Sequence, residues 1–128
     1  MLPNFIFPET TVEKDGTGPA IELGTESSPT LLLTLGIMDI VEQESLDVSI
    51  WASADGENWG EKPLRAIPQK FYRGTYQILC DLSSRPDAKF LRVQWKVARW
   101  GVGSSTPMFR FYVFAEPFAG AISQAKTA

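Results

Sequence analysis

The sequence contains no histidine and a single cysteine, Cys80. Without histidine it lacks the usual general base near neutral pH and the commonest transition-metal ligand. A Ser-His-Asp triad, a Cys-His dyad and a His-based zinc site are excluded by composition alone. One cysteine allows no internal disulfide framework. Positive charge is also scarce: 12 Lys and Arg stand against 15 Asp and Glu, for a net charge of −3. Phosphate-backbone binding relies on a dense basic face, so nucleic acid is a poor expectation. No run approaches the roughly 20 apolar residues of a membrane span. The opening MLPNFIFPETT lacks a basic n-region, and Pro3, Asn4 and Pro8 interrupt its apolar residues. It does not read as a secretory signal, and synthesis in the cytoplasm is expected.

What is present is apolar and aromatic material in a chain of single-domain length. The hydrophobic fraction is 44% and the aromatic fraction 12% over 128 residues. That is enough to bury a core without metal or disulfide staples. The patterning has period two, bounded by Gly, Pro, Asp and Ser, and no amphipathic helix stands out. In LDVSIWASA (46 to 54), Leu46, Val48, Ile50, Ala52 and Ala54 take one face. In GTYQILCDL (74 to 82), the inward set is Tyr76, Ile78, Cys80 and Leu82. In KFLRVQWKVARW (89 to 100), Leu91, Val93, Trp95 and Val97 face in, and in PMFRFYVFAE (107 to 116), Phe109, Phe111, Val113 and Ala115 do. TLLLTLGIMDIV (30 to 41) is apolar on both faces and reads as a central or covered strand. Weaker strands are expected around 10 to 14 and 19 to 23, separated by a turn at Asp15-Gly16-Thr17-Gly18. Pro68 keeps the extended piece at 67 to 73 on an edge. Seven or eight strands at this spacing predict an all-β, antiparallel β-sandwich of jelly-roll or immunoglobulin-like topology. The sandwich is expected over 10 to 116, with an N-terminal arm at 1 to 9 and a C-terminal tail at 117 to 128.

The stretch SADGENW (53 to 59) mixes acid oxygens, a glycine and a tryptophan. It is too short for a calcium loop. Its Asp-to-Trp spacing is one residue short of the Asp-box turn of sialidase-like propellers. Turn chemistry at Asp55-Gly56 accounts for most of it. A sugar-binding alternative would use Trp59 as a stacking platform, with Trp51, Tyr72 and Trp100 as others, and Asp55, Glu57 and Asn58 as hydroxyl partners. Arg92, Lys96 and Arg99 beside Phe90 raise a basic-aromatic platform for single strands. A solvated strand face explains them better. Glu42 and Glu44 read as loop acids, Asp81 and Asp87 flank another loop, and solvated loop acids explain all four better than a glycosidase pair facing across a cleft. No catalytic residue, metal or cofactor is expected.

The order of segments resembles a family. GTGPAIELG, LDVSIWASADGENW, GTYQ, KFLRVQWKV and FRFYVFAE, in that order over about residues 16 to 116, are similar to small β-sandwich proteins of bacteriophage structural genes. SADGENW is similar to the S-x-D-G-x-x-W hairpin of discoidin-like sandwiches. PLRAIPQKFYRGTYQ and the insert ARWGVGSSTP depart from the phage pattern. The resemblance implies a virion or particle component that assembles or decorates and performs no catalysis. The outward phases of Trp51, Tyr72, Tyr112 and Phe114, with Trp100 at a strand end, point the same way. So many exposed aromatics suit self-association into a homo-oligomer or larger particle. Phe5, Ile6 and Phe7 of the arm are expected to add a strand to a neighbouring copy.

Overall fold

The structure, a computed structural model, describes residues 4–23, 30–40, 44–83, 85–99 and 108–118. Nine strand segments follow in chain order: β1 (Asn4–Val12), β2 (Gly16–Thr17), β3 (Ile21–Glu22), β4 (Thr30–Ile40), β5 (Glu44–Ser53), β6 (Arg65–Lys70), β7 (Gly74–Asp81), β8 (Phe90–Arg99) and β9 (Phe109–Pro117). Among the described residues there is no helix, and so none long and apolar enough to cross a membrane. The strands form two antiparallel sheets. One runs β1-β9-β4-β7. The other runs β2-β8-β5-β6, with β3 also on β8. The two-residue pieces β2 and β3 lie along successive stretches of β8, facing Gln94–Trp95 and Phe90–Leu91. Together they act as one interrupted edge.

Alternation explains which side chains the two sheets share. Leu31, Leu33, Leu35 and Ile37 of β4 and Phe109, Phe111, Val113 and Ala115 of β9 are buried from one sheet. Leu46, Val48, Ile50 and Ala52 of β5 and Leu91 and Val93 of β8 are buried from the other, in one continuous cluster. β4 lies between β9 and β7, so its two-sided apolarity fits an interior strand. Pro68 sits in β6, at the outer edge of its sheet, where a missing N–H costs no ladder bond.

Trp95 joins the sheets at one end. Its ring, on β8, meets Phe7 of β1 at 4.7 Å and Phe111 of β9 at 5.9 Å, and its Nε1 donates to the Lys14 carbonyl at 2.9 Å. Trp95→Ala should cost about 3 kcal/mol, from the packing lost against Phe7 and Phe111. That corresponds to a melting temperature lower by about 10 °C in a calorimetric scan.

Several expectations are corrected. Residues 4 to 9 are no free arm: β1 crosses the expected boundary and pairs with β9 of its own chain. Ile6 and Phe7 are both buried because a register shift between Phe5 and Phe7 breaks the alternation. Gly16 and Thr17 are ladder residues on β8, not a turn. Ala54 is exposed, since β5 ends at Ser53. Glu44, expected in a loop, opens β5 fully buried, and its Oε1 accepts the Met108 N–H at 2.8 Å. The expected tail beyond Phe118, Glu42 and positions 100 to 107 of the expected insert lie outside the described residues, and the insert's first two residues, Ala98 and Arg99, end β8.

Candidate contact surface

The outward face of the β1-β9-β4-β7 sheet collects apolar side chains in cross-strand rows. Directly opposed residues share a face, so the register fixes each row. Phe5 pairs with Phe114, Phe114 with Thr34, and Thr34 with Gln77. The next row is Tyr112, Gly36 and Thr75, and on the other side lie Glu116, Leu32 and Leu79. The Phe5 ring meets Tyr112 at 5.5 Å and Phe114 at 5.0 Å, both edge-on, a favoured geometry for aromatic pairs. Phe5 and Leu79 are 42% and 46% exposed, and Met38 is 44% exposed at the bulge between Ile37 and Asp39. These values matter because large apolar side chains in a monomer are seldom left so open in a group.

Gly36 shapes this face. A Cβ there would lie 2.2 Å from the Tyr112 ring, so the ring rests on bare backbone. Any side chain at 36 would push Tyr112 away. At the rim, Arg110 and Glu9 form a half-exposed ion pair at 3.3 Å between β9 and β1. Such a pair contributes little to stability.

Of the residues expected at an assembly surface, the structure brings together Phe5, Tyr112 and Phe114. Ile6 and Phe7 are in the core and offer no contact area. Trp51 lies on the other sheet, half-buried opposite Arg92, with its Nε1 donating to Ser49 Oγ at 2.9 Å. Tyr72, 72% exposed, sits beside Phe71 in the β6–β7 connection. Trp100 lies outside the described residues. Leu32, Gly36, Met38 and Leu79 belong to the face and were not singled out. The signal for Leu32 and Met38 was the two-sided apolarity of residues 30 to 41.

The SADGENW segment is a self-satisfied loop between β5 and β6. Ser53, on the opposite phase of β5 from Leu46 and Ile50, is nevertheless fully buried and acts as its hub. Its Oγ accepts the amides of Asp55 and Gly56 at 3.2 and 2.9 Å and donates to Asp55 Oδ1 at 2.9 Å. Asp55 Oδ1 also accepts the amides of Glu57 and Asn58, each at 2.8 Å. Asn58 Oδ1 takes the Gly60 amide at 3.1 Å. Gly56 has φ of +81°, a conformation that L side chains rarely adopt. Trp59 is buried, and the Arg92 guanidinium lies 4.3 Å over its ring. Asp55, Asn58 and Trp59 therefore do architectural work, and Trp59 presents no open ring face to a sugar. Glu57 is exposed. The same contact removes Arg92 from a basic platform, leaving Lys96 exposed on that strand; the Arg99 side chain is outside the description.

The amides that point at Asp55 hold its carboxyl at about 2, below the ordinary 3.8. The stability it contributes is fully present above pH 3.8 and fades as pH falls toward about 2. Asp55→Ala should therefore melt lower than the parent chain at pH 7. The gap should close as pH drops through that window, as read from thermal unfolding curves at each pH. Burial pushes the Cys80 thiol up to about 11, so it is a packed apolar group rather than a nucleophile.

No family model, curated protein or solved structure matches the chain.

Proposed function

We propose that this chain is a non-enzymatic structural protein that self-assembles, or coats a larger particle such as a virion, through the outward face of the β1-β9-β4-β7 sheet. The observation that carries the reading is the apolar group on that face: Phe5 in contact with both Tyr112 and Phe114, with Leu32 and Leu79 in the adjoining row. Aromatic residues grouped in this way are what protein interfaces enrich.

The architecture we assign is an eight-stranded jelly-roll sandwich. Counting β2 and β3 as one interrupted strand, the sheet orders become 1-8-3-6 and 2-7-4-5. This is the double Greek-key wrapping found in capsid and lectin domains. The order supports a rigid building block, and the resemblance to bacteriophage structural sandwiches agrees with it. The lectin-like use has less support, because Asp55, Asn58 and Trp59, the centre of the expected sugar site, are spent on the loop itself.

Sedimentation velocity across a concentration series, with negative-stain microscopy, tests the proposal. It predicts species that grow with concentration into rings, tubes or filaments. A strict monomer at every concentration would overturn the self-assembly reading.

A further inference from the structure

The two sheets have four edges, and three carry features that discourage further pairing. β1 contains Pro8 and two register shifts. β2 and β3 are two residues each, with Pro19 between them. β6 holds Pro68, Arg65 and Lys70, and its ladder is interrupted. β7 differs. It forms eight consecutive pairs with β4 without a shift, and it has no proline and no charge from Gly74 to Cys80. Among the described residues, no strand pairs with its other side. A long, regular, apolar open edge is a template for another strand.

The geometry points to a second copy of this chain as the partner of that edge: β7 pairs antiparallel with β7 of another copy about a two-fold axis at Gln77. This rests on the self-assembly reading and adds a second, distinct contact to it. The sequence of the edge is complementary to its own reverse in this register. Gln77 faces Gln77, Tyr76 faces Ile78, Thr75 faces Leu79, and Arg73 faces Asp81, the last pair occurring twice by symmetry. Opposite charges directly across a ladder favour pairing, and like charges oppose it. Arg73 has no ion pair among the described residues, whereas Asp81 accepts the Ser83 amide and keeps its charge at neutral pH. Even spacing about Gln77 also keeps Leu79 and Thr75 of both copies on one face, so the apolar face continues across the junction. Edge pairing alone closes into a dimer; with face contact added, assembly extends beyond it.

Gln77 is exposed, so a lysine there leaves the core intact and sets two like charges against each other at the axis. Gln77→Lys should weaken the edge contact at least about tenfold and limit the protein to face-bonded dimers, with unchanged melting temperature. Gln77→Cys should be joined into a covalent dimer by a short bis-maleimide, because the two new thiols oppose each other. Thr75→Cys should not, since the register separates those positions by roughly 13 Å along the strands. Cys80 is buried and does not compete in the native protein. Equal cross-linking at 75 and 77, or a Gln77→Lys assembly as large as the parent, would overturn the edge pairing. If Gln77→Lys has no effect while substitutions on the apolar face dissolve the assembly, the edge proposal fails and the face reading stands. A wild-type monomer at all concentrations would remove both.

Discussion

A chain carrying Tyr112→Thr and Phe114→Thr should sediment as a folded species no larger than a dimer under conditions where the parent assembles. Both side chains are half-buried on the outward face, and both meet the Phe5 ring. Removing them deletes the centre of the aromatic group and leaves Phe5 without either partner. A central aromatic at an interface typically contributes about 2 kcal/mol or more, and each copy supplies two. The face contact should therefore weaken by at least about a thousandfold. Threonine suits a strand, and the inward residues Phe111, Val113 and Ala115 are untouched. Folded stability should fall by only about 1–2 kcal/mol, mainly through the lost ring contacts. Circular dichroism and thermal melting separate this outcome from unfolding.

Deleting residues 1 to 8 should collapse the fold rather than release monomers. Ile6 is fully buried and Phe7 nearly so, and Phe7 stacks on both Trp95 and Phe111. Losing these two side chains costs about 5–8 kcal/mol in packing. The deletion also strips β9 of an edge neighbour over much of its length. A domain of this size has about 5–15 kcal/mol of stability in total, so the truncated chain should be largely unfolded or insoluble. A truncated protein that melts cooperatively near the parent temperature would show that β1 is a dispensable arm after all.

Alternation along a single strand is written in the sequence, whereas bulges and the hydrogen bonds of buried polar side chains are not. The inward phases of residues 109 to 115 and of Leu91 and Val93 were legible because strict alternation leaves one face for the core. The same logic placed Tyr112 and Phe114 outward. The end of β1 was anticipated as a weak strand, but its first part was not legible, because its bulge buries neighbouring residues and Pro8 imitates a linker. Asp15-Gly16 has turn composition, yet Gly16 and Thr17 join β8 because Trp95 and Gln94 lie beside them. Ser53 is buried on the outward phase of β5 because it hydrogen-bonds the Asp55 loop, and Glu44, though in phase with Leu46 and Val48, is a carboxylate whose burial rests on the Met108 N–H rather than on apolar character.

The contact surface was half legible for a related reason. Alternation tells which residues of one strand point out, but not which strands are neighbours. Leu79 joins Leu32 only because β7 lies beside β4, and Phe5 joins Phe114 only because β1 caps β9. Those pairings span much of the chain, and no local pattern encodes them. Trp51 illustrates the converse error. Its phase is outward as expected, but on the opposite sheet, so it joins Arg92 rather than the aromatic group.

Radical or carbene footprinting of wild-type protein, below and above its assembly concentration, reads the proposed contact face residue by residue. Labelling of Phe5, Leu79, Tyr112 and Phe114 should fall together as particles form, while Trp51, on the other sheet, stays as reactive as before. Particles that form with those four residues as reactive as in the dilute chain would rule the face out.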